Sequence, residues 1–306
     1  MMRDVPAVDR AAGRGTAMRK RIFIIALAIL ILVSLAASII AGYVNSLELT
    51  FRLCSIPAEV AEKIRIVQLS DLHNTEYGEN NTDLISLVAE QKPDLIVMSG
   101  DMINAEDEDI GVLLTLISGL SEIAPVYFGC GNHEVSWQEI WQRDLKSELE
   151  NAGAVVLNNT YIDIAVNETK LRIGGIMGYY RQPGMLTNDP EEKESELAFA
   201  EEFESTDRMK LLINHIPTQW VDWGYIDKYP VDLVFCGHYH GGVVRLPLIN
   251  RGVYAPYVGW FPPYTKGIFA GEKATCILSS GLGSEYVIPR LNNPPEVVVT
   301  ELLPSV

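Results

Sequence analysis

From residue 45 onward the chain alternates short apolar, β-branched runs with stretches of helical periodicity. Apolar positions three to four residues apart predict helices over Thr82–Gln91 and Trp137–Ala152. Strands that alternate with helices are typical of an α/β fold, here with largely parallel strands in its first half. The apolar runs predict strands at Ile64–Leu69, Leu95–Met98, Val126–Phe128, Val155–Leu157, Leu171–Ile173, Leu211–Ile213, Leu233–Phe235, Thr275–Leu278 and Val297–Thr300.

A different pattern marks Gly241–Pro263, which is rich in Gly and Pro and has no clear periodicity. We expect loops and edge strands there, close to the ligand-binding face of the sheet. The aromatic and proline string Trp260–Tyr264 lies at its end. Core packing is our interpretation of that string, with a pocket rim or contact with a bilayer as the alternatives.

The apolar pattern near the N-terminus is continuous, because Ile22–Val44 contains no charged residue. As a helix this run is about 34 Å long, enough for the roughly 30 Å hydrocarbon core of a bilayer. The basic cluster Arg19–Arg21 precedes it, so the positive-inside rule predicts a cytoplasmic segment over 1–21. We therefore expect a single-pass anchor over 22–44 in the cell membrane and an extracytoplasmic domain over 45–306. A signal peptide cleaved near Ala36–Ser38 or Ala41 is the alternative, although its apolar region is usually shorter.

Charge and composition narrow the classes of partner. The chain is 48% apolar and 21% charged, which excludes disorder. Its net charge is −16, and the basic N-terminal segment hides a more acidic body of about −20. Such a body repels nucleic-acid phosphates, so we expect no stable nucleic-acid partner.

The four cysteines show no Cys-x-x-Cys spacing, which excludes a zinc finger. Cys130 and Cys236 each precede a glycine, and metal ligation, a disulfide or a buried thiol are the alternatives for them. We favour buried thiols, since free cysteine packs as a small apolar residue.

Candidate chemistry follows the predicted strands. All five histidines come after apolar runs, with Asp, Asn or Gly close by. In open α/β sheets, ligand sites form beyond the carboxyl ends of the strands, so these loops are expected to converge. The local strings are Ser70-Asp71-Leu72-His73, Ser99-Gly100-Asp101, Gly131-Asn132-His133-Glu134, Asn214-His215 and Gly237-His238-Tyr239-His240.

These side chains select a class of metal. Carboxylates, an amide oxygen and imidazoles without a thiolate suit Mn²⁺, Fe²⁺ or Zn²⁺. Asp71 and His73 are alternate residues, which share a face on an extended segment and could grip one ion. His238 and His240 have the same spacing and could serve two neighbouring ions. Two metals about 3.5–4 Å apart can activate a hydroxide that attacks an ester.

The blocks D-x-H, G-D, G-N-H-E, H and G-H-x-H occur here in one order, and in this the chain resembles the calcineurin-like metallophosphoesterases. Strings farther along look like the membrane-anchored bacterial branch of that family, so the resemblance covers about residues 45–306. Those strings are Arg245-Leu246-Pro247, Gly259-Trp260-Phe261-Pro262, Gly281-Leu282-Gly283 and Pro289-Arg290. The resemblance implies a four-layer αββα sandwich of two mixed sheets with flanking helices, preceded by one transmembrane helix.

The resemblance also implies a ligand set for two divalent metal ions (Mn, Fe or Zn), with Asp101 bridging them. His133 would bind no metal and would face the substrate phosphoryl, where an imidazolium can donate a hydrogen bond or a proton. Glu134 is expected to orient His133 or its loop. Arg181, in the loop before Pro183, is a candidate phosphate contact, with an ordinary surface position as the alternative. The implied ligands are Asp71, His73, Asp101 and His240 for one metal, and Asp101, Asn132, His215 and His238 for the other.

Some positions depart from known branches. Asn104 stands where purple acid phosphatases place a metal-binding tyrosine, which disfavours that branch. Val243 and Ser280 replace the glutamine and arginine common in the anchored branch.

The leading hypothesis is a dinuclear metal-dependent phosphoesterase. A metal-bridging hydroxide would hydrolyse phosphodiester or pyrophosphate bonds of lipid or envelope-related substrates. The predicted partners are this phosphoester substrate, which could be lipid-linked, and the membrane through the N-terminal helix. The alternatives are a degenerate, metal-free binding module of the same fold and a nucleotide or nucleic-acid phosphoesterase.

Overall fold

The computed structural model describes residues 9–182, 190–247, 249–284 and 288–305. Residues 1–8 of the predicted cytoplasmic segment lie outside this set. Short 3₁₀ turns occur at Glu79–Asn81, Tyr225–Asp227 and His240–Gly242. The α-helices are α1 (Asp9–Asn45), α2 (Thr82–Gln91), α3 (Gly111–Ser121), α4 (Asn132–Trp141), α5 (Leu145–Asn151), α6 (Pro190–Glu204) and α7 (Thr218–Val221).

The strands form two large sheets and two short hairpin ladders. The strands are β1 (Thr50–Ala58), β2 (Ile64–Leu69), β3 (Leu95–Met98), β4 (Val126–Phe128), β5 (Ala154–Val156), β6 (Thr160–Val166), β7 (Thr169–Ile176), β8 (Met209–Asn214), β9 (Leu233–Cys236), β10 (Arg245–Leu246), β11 (Arg251–Gly252), β12 (Tyr254–Ala255), β13 (Gly259–Trp260), β14 (Gly267–Ala270), β15 (Thr275–Leu278) and β16 (Glu296–Pro304).

Each large sheet has a parallel centre. The first runs β1-β16-β2-β3-β4-β5, with β2 to β5 parallel and β16 antiparallel to β2. The second runs β14-β15-β9-β8-β7-β6, with β15, β9, β8 and β7 parallel and both edge strands antiparallel to their neighbours. Both sheets are therefore mixed, as the resemblance implies. The ladders β10–β11 and β12–β13 lie within Gly241–Pro263, which the sequence predicted as loops and edge strands.

Three apolar clusters separate the layers. Ile66 of the first sheet and Leu211 of the second belong to the cluster between the sheets. Leu116 of α3 packs in a second cluster outside the first sheet. Phe203 of α6 and Trp220 of α7 pack in a third cluster outside the second sheet. The order helix, sheet, sheet, helix confirms the predicted four-layer α/β sandwich.

One predicted helix is wrong in its bounds. Trp137–Ala152 was expected as a single helix, but α4 ends at Trp141 and α5 begins at Leu145. Gln142 takes a left-handed backbone with φ 51°, which ends α4. Asp144 then caps α5 by accepting a hydrogen bond from the Ser147 N–H at 3.1 Å.

The prediction missed three strands, β1, β6 and β14. All are edge strands whose residues alternate between exposed and partly buried, so they lack a continuous apolar run. The predicted central strands are present, although β7, β8, β9 and β16 are longer than predicted. The edge strand β5 was also predicted and begins one residue early. Buried central strands carry the strongest apolar signal, which explains this division.

Helix α1 contains one segment long and apolar enough to cross a membrane, Met18–Asn45, with a mean hydropathy of 3.0. It is a possible single span, and a signal sequence near the N-terminus is the alternative. Its last turn packs against the body. The Asn292 N–H donates to the Gly42 carbonyl at 3.0 Å, and the Asn293 N–H donates to Ser46 Oγ at 3.0 Å.

Candidate metal centre

The predicted ligand loops meet where the carboxyl ends of the central strands of both sheets come together. Strands β2, β3 and β4 of the first sheet lead into three of the loops, and β8 and β9 of the second lead into the other two. The loops carry, in that order, Asp71 with His73, Asp101, Asn132 with His133, His215, and His238 with His240. Neither sheet alone assembles the centre.

Asp71, His73 and His240 form one cluster of potential ligands. One potential ligand atom from each lies within 4.8 Å of the others. The distance from His240 Nε2 to Asp71 Oδ1 is 3.6 Å, and the rings of His73 and His240 stack with centroids 5.0 Å apart. All three side chains are buried.

Asp101, His215 and His238 form a second cluster within the same distance limit. Asp101 Oδ2 lies 2.7 Å from His215 Nε2 and 3.9 Å from His238 Nδ1. Asp101 also groups with His73 and His133. Asp101 therefore lies between the two clusters, where a bridging ligand would stand.

The backbone brings these ligands together in a way that the sequence did not predict. We expected extended segments, but φ is 50° at Asp71, 49° at His73, 70° at His238 and 45° at His240. Each pair converges because the chain turns through the left-handed region after its strand ends. The Asp71 N–H donates to the Gly100 carbonyl at 3.0 Å, which ties two of the ligand loops together.

The electrostatics favour a bound cation. Burial opposes ionisation of Asp71, but the charges of His240 and His215 lower its pKa. Burial also opposes ionisation of Asp101. The charge of His215 and its hydrogen bond to Asp101 outweigh burial and lower the pKa of Asp101 well below its ordinary value. Burial lowers the pKa of His238, and that of His240 to about 3, so both imidazoles are neutral at neutral pH.

His215 behaves differently because it lies against a carboxylate. Burial lowers its pKa, but the charge of Asp101 and their hydrogen bond outweigh this and raise the pKa to about 10. A proton lies between His215 and Asp101. A divalent cation bound by these two residues would displace that proton, because metal ligands must be deprotonated.

Neighbouring groups fix which nitrogen of two rings faces the centre. His73 Nδ1 lies 3.1 Å from Asn104 Oδ1, and His215 Nδ1 lies 2.7 Å from the Ser99 carbonyl. Both partners accept, so Nδ1 carries the proton and Nε2 is left as the potential ligand atom. Asn104 is therefore a positioning residue for the His73 ring. From the sequence it served only as a departure that disfavours the purple acid phosphatases.

Glu134 holds two of the loops. Its Oε2 accepts from the N–H groups of Asp101 at 2.8 Å and Gly131 at 2.7 Å, and its Oε1 accepts from Met102 at 2.7 Å. The carboxyl is buried, and burial together with Asp101 raises its pKa. Glu134 lies in the first turn of α4 and organises the loop, which agrees with one of its two expected roles.

His133 is buried at the start of α4 and belongs to the cluster that contains Asp101 and His73. The Ala105 N–H donates to its Nδ1 at 3.1 Å. A backbone N–H only donates, so Nδ1 is unprotonated and the proton is on Nε2. In this arrangement Nε2 is the ring nitrogen that can donate a hydrogen bond, and the role of His133 towards the phosphoryl group stays a prediction.

The residues present fit divalent cations. Among the described residues, Asp71 Oδ2, Asn132 Oδ1 and His238 Nε2 are buried without a hydrogen-bond partner. Buried polar atoms normally have partners. Asp71 belongs to one of the two ligand clusters and His238 to the other, and both clusters consist of the oxygen and nitrogen donors that divalent cations bind. The chain at Gly237 passes so close to the Asp71 carboxylate that a Cβ there would clash with it, which explains the glycine before His238.

The structure resolves the other candidates. Arg181 pairs with Glu204 at 2.9 Å, so its guanidinium already has a carboxylate partner. Cys130 and Cys236 are free, buried thiols, as expected. The interpretation of Trp260–Tyr264 as core packing is wrong at its start, because Trp260 is 71% exposed.

Two residues support the ligand loops from farther along the chain, and the sequence assigned neither of them a role at the centre. Asn293 Nδ2 donates to the His240 carbonyl at 2.7 Å. The Arg290 guanidinium is buried and donates to the carbonyls of Ser280 and Gly283, both at 2.6 Å. These residues follow the ligand loops by tens of positions, and no local pattern links them to the centre.

Comparison with known proteins agrees with this geometry. The family model described as calcineurin-like phosphoesterase matches residues 64–242. The chain is 28% identical to Phosphodiesterase YaeI of Escherichia coli (strain K12), over 79% of this chain and 83% of that protein. It is 26% identical to the uncharacterized metallophosphoesterase YkoQ of Bacillus subtilis (strain 168), over 79% of this chain and 84% of that protein.

Among solved structures, the chain is similar to a 5'-nucleotidase precursor from Thermus thermophilus, with a TM-score of 0.45 and 15% identity. The match covers 79% of this chain and 54% of that one, so the chain spans about half of that protein's length. The TM-score is too low to add to the family match.

Proposed function

Because the chain belongs to the calcineurin-like phosphoesterase family and is therefore a metal-dependent phosphoesterase, we propose that it hydrolyses phosphodiester or pyrophosphate bonds of lipid or envelope-related substrates. The observation that carries the proposal is the pair of ligand clusters with Asp101 between them. Two adjacent clusters that share a carboxylate are the arrangement that a dinuclear hydrolytic centre requires.

The proposed assignment follows the clusters. Asp71, His73 and His240 would hold one cation, and His215 and His238 the other, with Asp101 bridging. Asn132, at the start of α4, would be a further ligand of the second cation. Mn, Fe and Zn are the metals we propose. When bound, such a pair supplies an acidified water as nucleophile and neutralises the charge of the phosphoryl group.

We assign the remaining chemistry to His133. Its Nε2–H can donate to a phosphoryl oxygen or to the departing oxygen, while the Ala105 N–H holds the ring through Nδ1. A hydrogen bond aimed at developing negative charge is worth more in a buried site than in water. Glu134 and Asn104 position the loops and the His73 ring around it.

The substrate class rests on two supports. A relative is named a phosphodiesterase, which favours a diester. Met18–Asn45 as an uncleaved anchor would keep the domain over 45–306 at the membrane, where lipid-linked phosphoesters occur. The basic residues before the span favour an extracytoplasmic domain, with 1–21 in the cytoplasm and 22–44 in the bilayer.

Activity of the full chain in detergent tests the proposal. With Mn²⁺ we expect hydrolysis of an aryl phosphodiester at a higher kcat/KM than the matching monoester. His133→Ala is expected to lower turnover by roughly 10²- to 10⁴-fold, because it removes the proposed donor. Elemental analysis should find the same metal content in both proteins, since His133 is not a proposed ligand.

His133→Asn is the matched variant, because its amide keeps a donor, and it should retain more turnover than His133→Ala. Full turnover by His133→Ala at unchanged metal content would contradict the role of His133. A wild-type chain without metal at neutral pH would instead favour a binding module. Preferential hydrolysis of nucleotides over lipid phosphoesters would contradict the substrate class.

A further inference from the structure

Large apolar side chains are exposed in the segments that border the metal centre. We call Ile249, Trp260, Phe261 and Ile288 the apolar rim; each is between 50% and 71% exposed. Trp260 adopts this exposure although tryptophan is rarely so accessible. Contiguous exposed apolar residues usually mark a surface that contacts a protein or a membrane.

The rim is connected to the end of α1 by direct contacts. Asn292, whose N–H binds the Gly42 carbonyl, also donates from Nδ2 to the Arg245 carbonyl at 3.3 Å. Arg245 begins the β10–β11 hairpin, and Ile249 lies in the turn of that hairpin. Gly42 is in the last turns of the apolar segment, so this hairpin starts at the level where the segment ends.

The aromatic part of the rim attaches to the same hairpin. The Phe261 N–H donates to the Val253 carbonyl at 2.7 Å, and the Arg251 guanidinium donates to the Phe261 carbonyl. Ile288 stands shortly before Arg290 in the segment that reaches Asn292. Ile249, Trp260 and Phe261 therefore lie in hairpins that are bonded to one another, and Ile288 is four residues before Asn292, which binds the end of α1.

The same segments also support the metal loop. The Val253 N–H donates to the Gly242 carbonyl at 3.1 Å, and Arg245 Nη1 donates to the Gly241 carbonyl at 2.6 Å. Asn293 binds the carbonyl of His240, one of the proposed ligands. Tyr257, in the turn between β12 and β13, stacks on the His238 ring with centroids 4.9 Å apart.

We propose that the apolar rim rests in the interfacial region of the lipid bilayer in which α1 is anchored. The metal centre then opens at the membrane surface and accepts phosphoesters whose apolar part stays in the bilayer, a consequence that rests on the proposed function. Continuity with the end of α1 selects the bilayer as occupant. Tryptophan and other aromatic side chains are enriched at this depth.

The charge of the chain sets the kind of lipid. A body of about −20 is repelled by anionic head groups, so binding must come from apolar burial rather than from electrostatic attraction. Phosphatidylcholine alone should therefore suffice, and the contact should persist at high salt.

A fluorescent label at the rim tests this contact in the full chain. All four native cysteines are free but buried, so an added surface cysteine can be labelled selectively. Trp260→Cys carries an environment-sensitive dye, and the protein is reconstituted in phosphatidylcholine vesicles with or without a lipid that bears a nitroxide quencher near its head group. We expect at least about twofold quenching by the nitroxide lipid, because an interfacial side chain lies roughly 5–10 Å into that layer.

Ile140→Cys is the matched control, since Ile140 is 52% exposed on α4, on the far side of the first sheet from the rim. Its label should not be quenched. Equal quenching at the two positions, or none at residue 260, would overturn the proposal. A change in dye fluorescence at residue 260 that depends on high protein density and not on the nitroxide lipid would indicate that the rim contacts a second copy of the chain. That result would also overturn the proposal.

The readout does not depend on catalysis. If the label is not quenched but the enzyme hydrolyses phosphodiesters, the contact between the rim and the bilayer is rejected and the proposed function is not. A quenched label on an enzyme inactive towards phosphodiesters supports the rim and rejects the proposed function.

Discussion

Replacing Glu134 by Gln tests whether one buried carboxylate organises the ligand loops. The two oxygens accept three backbone N–H groups at 2.7–2.8 Å, from Asp101, Met102 and Gly131. In Glu134→Gln an NH₂ group takes the place of one oxygen and faces N–H donors. At least one buried N–H then loses its acceptor, and two do if Oε2 is the atom replaced.

Each buried donor left without a partner costs about 1–3 kcal/mol, so the free energy of unfolding should fall by about 2–4 kcal/mol. For a protein of this size the fall corresponds to a Tm lower by about 5–15 °C. The loops that shift carry Asp101 and Asn132, so affinity for Mn²⁺ should fall as well, by roughly 10- to 100-fold.

Thermal unfolding of the full chain, followed by tryptophan fluorescence in detergent, measures the change. A chelator in both samples removes the stabilisation that bound metal would add. Glu139→Gln is the control, because Glu139 is exposed on the same helix and the change should be within about 0.5 kcal/mol. A Tm of Glu134→Gln within about 2 °C of the wild-type value would refute the reasoning.

Two further predictions concern the centre and its surroundings. Asn104→Ala removes the acceptor of His73 Nδ1 and should weaken Mn²⁺ binding by roughly 10- to 100-fold in calorimetric titration, whereas Asn104→Asp keeps the acceptor and should bind nearly as wild type. Burial opposes ionisation of Glu296, but the charges of Arg52 and Lys266, each with a nitrogen 3.1 Å from the carboxylate, lower its pKa below the ordinary 4.5. Because the folded-state pKa is the lower one, this stabilisation is present above the unfolded pKa and is lost as the pH falls through the folded pKa. The urea midpoint should therefore drop below about pH 4.5 more steeply in the wild type than in Glu296→Gln; parallel curves would contradict this.

The sequence predicted the position of the centre because every candidate ligand follows a buried apolar run. A run such as Ile64–Leu69 marks the end of a strand, and the next polar residues must lie at the edge of the sheet. Two sheets with parallel centres bring several such edges together. Strand ends and ligand loops could therefore be predicted without any knowledge of tertiary contacts.

Other features depend on tertiary structure and left no local signal. The left-handed backbone at Asp71 and His240 results from loops that bond to one another, not from glycine or asparagine at those positions. Asn293 supports a loop 53 residues earlier in the chain. The exposure of Trp260 could not be predicted either, because an aromatic residue next to prolines is equally compatible with packing in the core.

The position of β16 bears on how the protein is made. This strand ends at Pro304 and lies between β1 and β2, parallel to one and antiparallel to the other. The first sheet therefore cannot close until β16 has been synthesised, because β1 and β2 are neighbours only through it. Pairing between segments so far apart in the chain is slow, so β1 remains without its partner while all the intervening strands are made.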